Sequence, residues 1–201
     1  MLEFKNVCVG RPDGHVSAPF SLEMDGGEVA CLVDNDGVGS RVLMAVMGLA
    51  PLAAGYITVD GELVTPGSSA YFRRMIAYVP QRMPSLRMRV SRLFGDLLHL
   101  DAQAEAGVDL SALQRQWAQA GLSEGLAEQW TTEVAPAVLQ TAMLGAALLL
   151  KRPMVLVDSP SAQAVDSGLL RLLAAGGTEV LCATQRPDVP CQKIINLSLL
   201  P

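Results

Sequence analysis

A short apolar run, a turn with two glycines and an apolar helical face follow one another between residues 29 and 47. Val29 to Val33 is the apolar run, Gly37 and Gly39 lie in the turn, and the residues from Val42 to Met47 have the apolar face. This order is typical of a phosphate-binding loop, in which glycines let backbone N–H groups approach a phosphate at the start of a helix. The segment therefore predicts a strand that leads through a tight turn into a helix.

The loop lacks most of the residues that such a site uses. The working pattern is G-x-x-x-x-G-K-S/T, in which the lysine contacts the β- and γ-phosphates and the hydroxyl holds Mg²⁺. Here Asp34 stands where the first glycine belongs and Ser40 follows Gly39, so the lysine is absent. With Asp36, the loop has two carboxylates. A like charge about 5 Å from a phosphate costs roughly 3 kcal/mol, more than a hundredfold in affinity.

Composition and pattern predict one α/β domain. The chain has 201 residues, half of them hydrophobic, which is enough for a single domain over 1–201 with one sizeable core. Apolar strands alternate with helices, which favours a sheet covered by helices on both faces. Residues 90–145 are interpreted as an inserted helical subdomain, with Trp117 and Trp130 as packing anchors. Leu2 to Val9 alternates weakly and is predicted as an edge strand.

Neither a signal peptide nor a membrane span is predicted. The start of the chain has charges within what would be the apolar part of a signal peptide. Val134 to Leu150 has no charged residue but includes Gln140 and Thr141, and it is interpreted as a buried helix. The scattered cysteines contain no C-x-x-C pair and are expected to be free thiols. The protein is expected to be soluble or peripheral to a membrane.

The order of these segments, from Met1 to about Ile195, resembles the ATP-binding cassette, the nucleotide-binding subunit of ABC transporters. The resemblance implies an α/β fold with a phosphate-loop core, a mixed sheet flanked by helices and an inserted helical subdomain. It also implies ATP and Mg²⁺ as the family's cofactors. Because of the losses in the loop, we expect no cofactor here, or weak binding of ATP and Mg²⁺.

The resemblance assigns the family's other functional positions to residues of this chain. Arg11 stands where an aromatic residue stacks on adenine, and Gln81 is similar to the glutamine of the family's Q-loop. Asp158 matches the metal-associated aspartate and is a candidate Mg²⁺ ligand. Ser159 replaces the glutamate that polarises the attacking water, and Gln185 replaces the switch histidine.

The family's signature segment, LSGGQ, contacts the nucleotide of the opposite subunit. Counting back from Lys151-Arg152-Pro153, the matching residues are Val134 to Val138, with neither the serine nor the glycines. Pro136 also lacks a backbone N–H. Neither of the two sites in a cassette dimer is therefore expected to be complete.

Several interpretations of these positions stay open. Gly37, Gly39 and Ser40 could hold a phosphate or only form the turn, and Arg41 could substitute for the lysine. Asp158 could hold Mg²⁺ or only hydrogen-bond at the end of its strand. Gln81 and Arg11 are vestigial candidates for nucleotide contacts.

These losses favour a degenerate cassette subunit that does not hydrolyse ATP. Phosphoryl transfer depends on positioning and charge neutralisation, and general-base catalysis raises the reaction rate by about 10²–10⁴-fold. With Ser159 and Gln185 substituted, no catalytic residue is expected to be intact. The predicted role is structural or regulatory, in the cytoplasm at the inner face of the membrane. The alternatives are an active ATPase with unconventional residues and a soluble interaction module on the same fold.

The resemblance also implies partners: the membrane subunit of an ABC-type complex, and a second cassette subunit that is either an identical copy or an active paralogue. Six arginines and no acidic residue occur between Glu62 and Asp96. They form either a solvated face or a docking surface, for which the candidates are Arg82, Arg87, Arg89 and Arg92. We expect them to meet an acidic segment of the membrane subunit. No nucleic acid is expected, because the net charge is −5 and no stacking aromatics interleave the arginines.

Overall fold

The computed structural model describes residues 1–10, 14–82, 86–99, 107–185 and 189–197. Its strands are β1 (Leu2–Cys8), β2 (Phe20–Met24), β3 (Val29–Val33), β4 (Ala54–Val59), β5 (Glu62–Leu63), β6 (Ile76–Val79), β7 (Met154–Asp158), β8 (Glu179–Thr184) and β9 (Lys193–Asn196). Its helices are α1 (Val38–Val46), α2 (Ser69–Arg73), α3 (Val90–Leu98), α4 (Leu110–Gln119), α5 (Pro136–Leu150), α6 (Ala162–Asp166) and α7 (Leu169–Ala175). A 3₁₀ turn spans Glu124–Glu128.

The strands form two sheets of different kinds. One is antiparallel, in the order β2-β1-β4-β5, and the other is parallel, in the order β6-β7-β8-β3-β9. The parallel strands β7 and β8 are buried along their whole length, as expected for a sheet with helices on both faces. The predicted α/β class is confirmed, and the parallel and antiparallel pairings lie in separate sheets.

The predicted edge position of β1 is wrong. Leu2 pairs with Met24 of β2 on one side and with Val59 of β4 on the other, so β1 is an interior strand. Its alternation arises because Leu2 and Phe4 are fully buried while Lys5 is exposed. An alternating pattern shows which face of a strand is buried but not whether both of its edges are paired.

A separate cluster of buried apolar side chains joins α3, α4 and α5. Trp117 is buried there, as predicted, and its ring meets Phe94 edge-to-face at a centroid distance of 4.9 Å. The indole Nε1–H of Trp117 donates to the backbone oxygen of Ala142 at 3.1 Å. Trp130, the other predicted packing anchor, lies outside this cluster and is only half-buried.

The cysteines are free thiols, as expected. Cys8, Cys31 and Cys182 are buried and Cys191 is half-buried. Burial raises the pKa of the Cys191 thiol to about 12, and its neighbour Cys31 contributes to the shift. Within the described ranges, no helix combines the length and the apolar character needed to span a membrane.

Candidate functional site

Several candidate residues lie at one edge of the parallel sheet. β3 ends at the phosphate-loop segment, β6 ends just before Pro80 and Gln81, β7 ends at Asp158, and β8 ends just before Gln185. Because the four strands are parallel, these segments meet at their carboxyl ends, where ligands bind in open α/β sheets. The sheet topology therefore brings together positions as far apart in the sequence as Asp34 and Gln185.

The loop between β3 and α1 is organised around the Asp34 carboxylate. One oxygen, Oδ1, accepts the backbone N–H of Asp36 at 2.9 Å and that of Val38 at 3.0 Å. The other, Oδ2, accepts the N–H of Gly39 at 2.8 Å. Asp34 is only 3% exposed. Gly37 has a left-handed backbone (φ 76°) and immediately precedes α1, a conformation that favours glycine.

Gly39 is enclosed by the same carboxylate and by β8. A Cβ atom at this position would lie 2.5 Å from Oδ2 of Asp34 and 2.9 Å from the Cβ of Ala183. Because Gly39 has no side chain, the Asp34 carboxylate can lie against it. The sequence interpretation treated Asp34 only as a charge that repels phosphate, whereas the structure places it as the acceptor for the loop's N–H groups.

Ser40 and Asp158 are hydrogen-bonded to each other. The hydroxyl of Ser40, which follows Gly39 where the lysine is expected, donates to Oδ1 of Asp158 at 2.7 Å. The hydroxyl of Tyr78 donates to Oδ2 at 3.2 Å. Burial raises the pKa of Tyr78, and the neighbouring Asp158 carboxylate adds to the shift, so the phenol stays protonated. Both oxygens of Asp158 therefore accept hydrogen bonds from neutral hydroxyls.

Asp158 is the candidate metal ligand in this arrangement. In the part of the chain that the structure describes, no group of three or more His, Cys, Asp or Glu side chains could hold a metal ion. Mg²⁺ requires near-octahedral oxygen coordination and is often held by one or two carboxylates plus substrate phosphates. Asp158 supplies a carboxylate, and its hydrogen bonds to Ser40 and Tyr78 would have to rearrange to admit the ion.

Ser159 has an unusual backbone conformation. Its φ is 47°, a left-handed value that is uncommon for residues other than glycine. Its N–H donates to the backbone oxygen of Ala183 at 2.7 Å, and its hydroxyl lies 3.5 Å from Oδ1 of Asp158. A serine at this position cannot accept a proton at neutral pH, so it provides no general base.

The remaining positions assigned from the resemblance are exposed, lie outside the described residues, or lie at the start of α5. Gln81, Gln185 and Arg41 are exposed at the ends of β6 and β8 and on α1, respectively. Arg11 lies outside the described residues. Helix α5 begins at Pro136, and Ala135, which precedes it, makes no side-chain cap. At the signature position, the first residue of the helix is therefore a proline, which has no backbone N–H to donate to a ligand.

Gln140 is a residue at this site that the sequence interpretation did not identify. Its side-chain nitrogen, Nε2, donates to the backbone oxygen of Asp158 at 3.0 Å and lies 3.3 Å from those of Pro80 and Ser159. Its Oε1 accepts the N–H of Ser161 at 2.8 Å. Gln140 therefore joins α5 to two segments at the sheet edge, the one after β6 and the one after β7. A polar side chain within an apolar helix was the available signal, because buried amides need partners.

Two of the candidate partner-binding arginines stack on one tryptophan. The guanidinium carbons of Arg87 and Arg89 lie 4.6 and 4.4 Å from the ring centroid of Trp130. Trp130 thus holds cations rather than packing in the core, which corrects its predicted role. Arg92 pairs with Asp96 at 2.8 Å, and Arg82 is exposed. We call Arg82, Arg87, Arg89 and Arg92 the arginine patch.

An apolar cavity of about 270 Å³ opens between β6, α3 and α5. Its lining includes Phe94, Leu98, Met143 and Tyr78, with Arg73 as its charged member. The Tyr78 hydroxyl also contacts Asp158. The cavity and the sheet-edge site therefore share a side chain.

Comparisons with known proteins agree with this architecture. The ABC transporter family model matches residues 18–162. A solved ATP-binding subunit of an ABC transporter is 20% identical, with a TM-score of 0.75 over 98% of this chain and 86% of that one. CbiO1 of Clostridium perfringens, part of the ABC transporter complex CbiONQ, is 16% identical, with a TM-score of 0.72 over 98% of this chain and 84% of that one.

Curated relatives match over shorter stretches. A protein of Agrobacterium fabrum, named as a ribose/galactose/methyl galactoside import ATP-binding protein, is 38% identical over 74 residues. A sophorolipid transporter of Starmerella bombicola is 33% identical over 85 residues. These matches cover 36% and 40% of this chain but only 15% and 6% of the relatives, so the chain matches a small part of the length of either protein.

The fold is that of an ATP-binding cassette, with the candidate site where cassettes have their phosphate loop. The chain belongs to the ABC transporter family.

Proposed function

We propose that this chain is a degenerate cassette subunit that does not hydrolyse ATP and that has a structural or regulatory role in an ABC-type membrane transport complex. The Asp158 carboxylate carries the proposal. It is held by the hydroxyls of Ser40 and Tyr78, and Ser159 beside it is no proton acceptor. The groups expected to neutralise and activate a triphosphate are replaced by a carboxylate and the neutral hydroxyls bonded to it, which supports weak or absent binding of ATP and Mg²⁺.

The proposed location is the cytoplasm, peripheral to the inner face of the membrane, beside a membrane subunit. We propose that residues 90–145 form a helical subdomain within a single cassette domain over 1–201. The separate apolar cluster of α3, α4 and α5 supports this division. The second cassette subunit is an identical copy or an active paralogue, and no nucleic-acid partner is proposed.

Purified chain with Mg-ATP tests the lack of hydrolysis. We expect no phosphate release above that of a buffer control and no rise in the melting temperature at millimolar Mg-ATP. An active paralogue of the same family serves as the positive control. A melting temperature raised by several degrees, together with turnover that disappears in Asp158→Asn, would establish the active ATPase instead.

The arginine patch is the proposed docking surface for the membrane subunit. Stacking on Trp130 restrains Arg87 and Arg89, so less side-chain freedom is lost when an acidic segment binds them. Leu86 beside them is 58% exposed and adds apolar surface. Charge and exposed apolar area together fit a partner segment with acidic and apolar residues.

Charge reversal tests this surface. Arg87→Glu with Arg89→Glu is expected to reduce co-purification with the membrane subunit by tenfold or more, because like charges then face each other. Arg171→Glu, at an exposed arginine on α7, is the matched control and is expected to leave the yield unchanged. Equal yields from both variants would remove the arginine patch from the interface.

A further inference from the structure

The loop before α1 has the chemical groups of an anion site, and they are already engaged. An α-helix leaves its first N–H groups without partners inside the helix, and phosphate loops use such groups to hold phosphate. Here the N–H groups of Val38 and Gly39 at the start of α1, and that of Asp36 before it, all donate to the Asp34 carboxylate. Both oxygens of this anion are used.

We propose that the Asp34 carboxylate is a built-in substitute for a bound phosphate, which keeps the loop in its ligand-bound arrangement while excluding phosphate from it. Three observations support this assignment. The carboxylate accepts three loop N–H groups, it is almost entirely buried, and it lies so close to Gly39 that not even a Cβ atom fits between them. A phosphate oxygen cannot contact the same N–H groups until the Asp34 side chain leaves.

The tether makes this anion a strong competitor. Asp34 is part of the same loop, so its carboxylate is present at a high effective concentration whatever the amount of nucleotide in solution. The apparent affinity for a free phosphate is the affinity of the open loop multiplied by the fraction of molecules in which the carboxylate has moved away. The start of α1 is therefore stabilised in the absence of ligand, and the loop needs no nucleotide to stay ordered.

This inference concerns the resting loop and goes beyond the proposed function. It holds whether the chain only scaffolds a complex or turns over ATP slowly after Asp34 has moved. The alternative is that Asp34 is an ordinary helix cap, which would stabilise α1 without occupying an anion site. The two accounts differ in what happens when Asp34 is removed and an anion is added.

The experiment compares the wild-type chain, Asp34→Gly and the control Asp36→Asn, which removes the same charge from an exposed residue of the same loop. Melting temperatures are measured with and without millimolar pyrophosphate, and binding is measured by calorimetry. Asp34→Gly is expected to melt about 3–6 °C lower than wild type without anion, because three loop N–H groups lose their acceptor, and pyrophosphate is expected to recover at least half of that loss. Wild type and Asp36→Asn are expected not to respond to pyrophosphate.

Three results would overturn the inference. They are an equal response of wild type to pyrophosphate, an unchanged melting temperature in Asp34→Gly, and a lowered melting temperature that pyrophosphate does not recover, which would make Asp34 a cap only. If Asp34→Gly does not fold, Asp34→Asn provides the same comparison, because an amide has one acceptor oxygen instead of two. ATP hydrolysis by wild type would refute the proposed function alone, whereas a pyrophosphate response of wild type would refute this inference alone.

Discussion

At the scale of single residues, buried polar side chains determine what the sheet edge can do. Asp34 accepts three backbone N–H groups, Asp158 accepts three hydroxyls, and Gln140 uses both ends of its amide. Each of these side chains is less than one-tenth exposed. The low local dielectric makes such bonds strong when complete and costly when one partner is removed.

Gln140→Leu is expected to destabilise the protein by about 2–4 kcal/mol, because it leaves the Ser161 N–H and the Asp158 carbonyl oxygen without their partner. Urea unfolding measures the loss. Gln119→Leu, at an exposed glutamine on α4, is the control and is expected to change stability by less than about 0.5 kcal/mol. Similar values for both variants would show that the Gln140 network adds nothing to stability.

At the scale of elements, one lysine at the edge strand β9 connects the two sheets. Nζ of Lys193 donates to the backbone oxygen of Glu23, at the end of β2, at 2.7 Å and to the Glu28 carboxylate, just before β3, at 2.6 Å. The hydrogen bond from Lys193 holds the pKa of Glu28 below its ordinary value of 4.5, and the backbone N–H of Asp25 adds to the effect. A partly exposed ion pair therefore adds one polar contact between the two sheets.

A double-mutant cycle of Glu28→Gln and Lys193→Met is expected to give a coupling of about 0.5 kcal/mol near neutral pH, since solvent screens a partly exposed pair. The folded pKa of Glu28 is depressed, so its contribution is present above the unfolded value and is lost as the pH falls below about 4.5 through the folded pKa. Urea unfolding at several pH values measures the coupling. A coupling that persists in acid would contradict the assignment to this ion pair.

At the scale of the whole molecule, apolar packing is divided among three clusters. Two lie on the faces of the parallel sheet, and the third joins α3, α4 and α5 around Phe94 and Trp117. Helix α5 contributes to the second and third clusters through different faces: Leu144 and Ala147 in one, Leu139 and Ala142 in the other. Helix α5 therefore joins the cluster of α3 and α4 to the cluster on the sheet.

Phe94→Ala is expected to cost about 3–5 kcal/mol, because it removes a fully buried ring and its edge-to-face contact with Trp117. Hydrogen exchange is expected to accelerate first in α3 and α4 and later in β7 and β8, since the lost contacts belong to the third cluster. The control is Leu172→Ala, at a leucine that is 52% exposed on α7. Uniform acceleration across the sheet would show that the clusters unfold as one unit.

The order of elements could be predicted from the sequence because the signals are local. The hairpin between β4 and β5 is an example: Asp60 and Gly61 both have positive φ, 51° and 82°, as its Asp-Gly turn predicted. The continuous apolar runs of β7 and β8 likewise indicated a sheet buried on both faces. The resemblance to a cassette and the absence of the lysine after Gly39 also followed from the letters alone.

The tertiary structure decided which groups meet. Ser40 and Asp158 are 118 residues apart in the chain, and only the adjacency of strand ends brings them into contact. Whether β1 was an edge or an interior strand depended on a second partner, β4, which its own pattern does not encode. The role of Asp34 changed for the same reason: the sequence shows its charge, but the direction of the backbone N–H groups around it exists only in the folded loop.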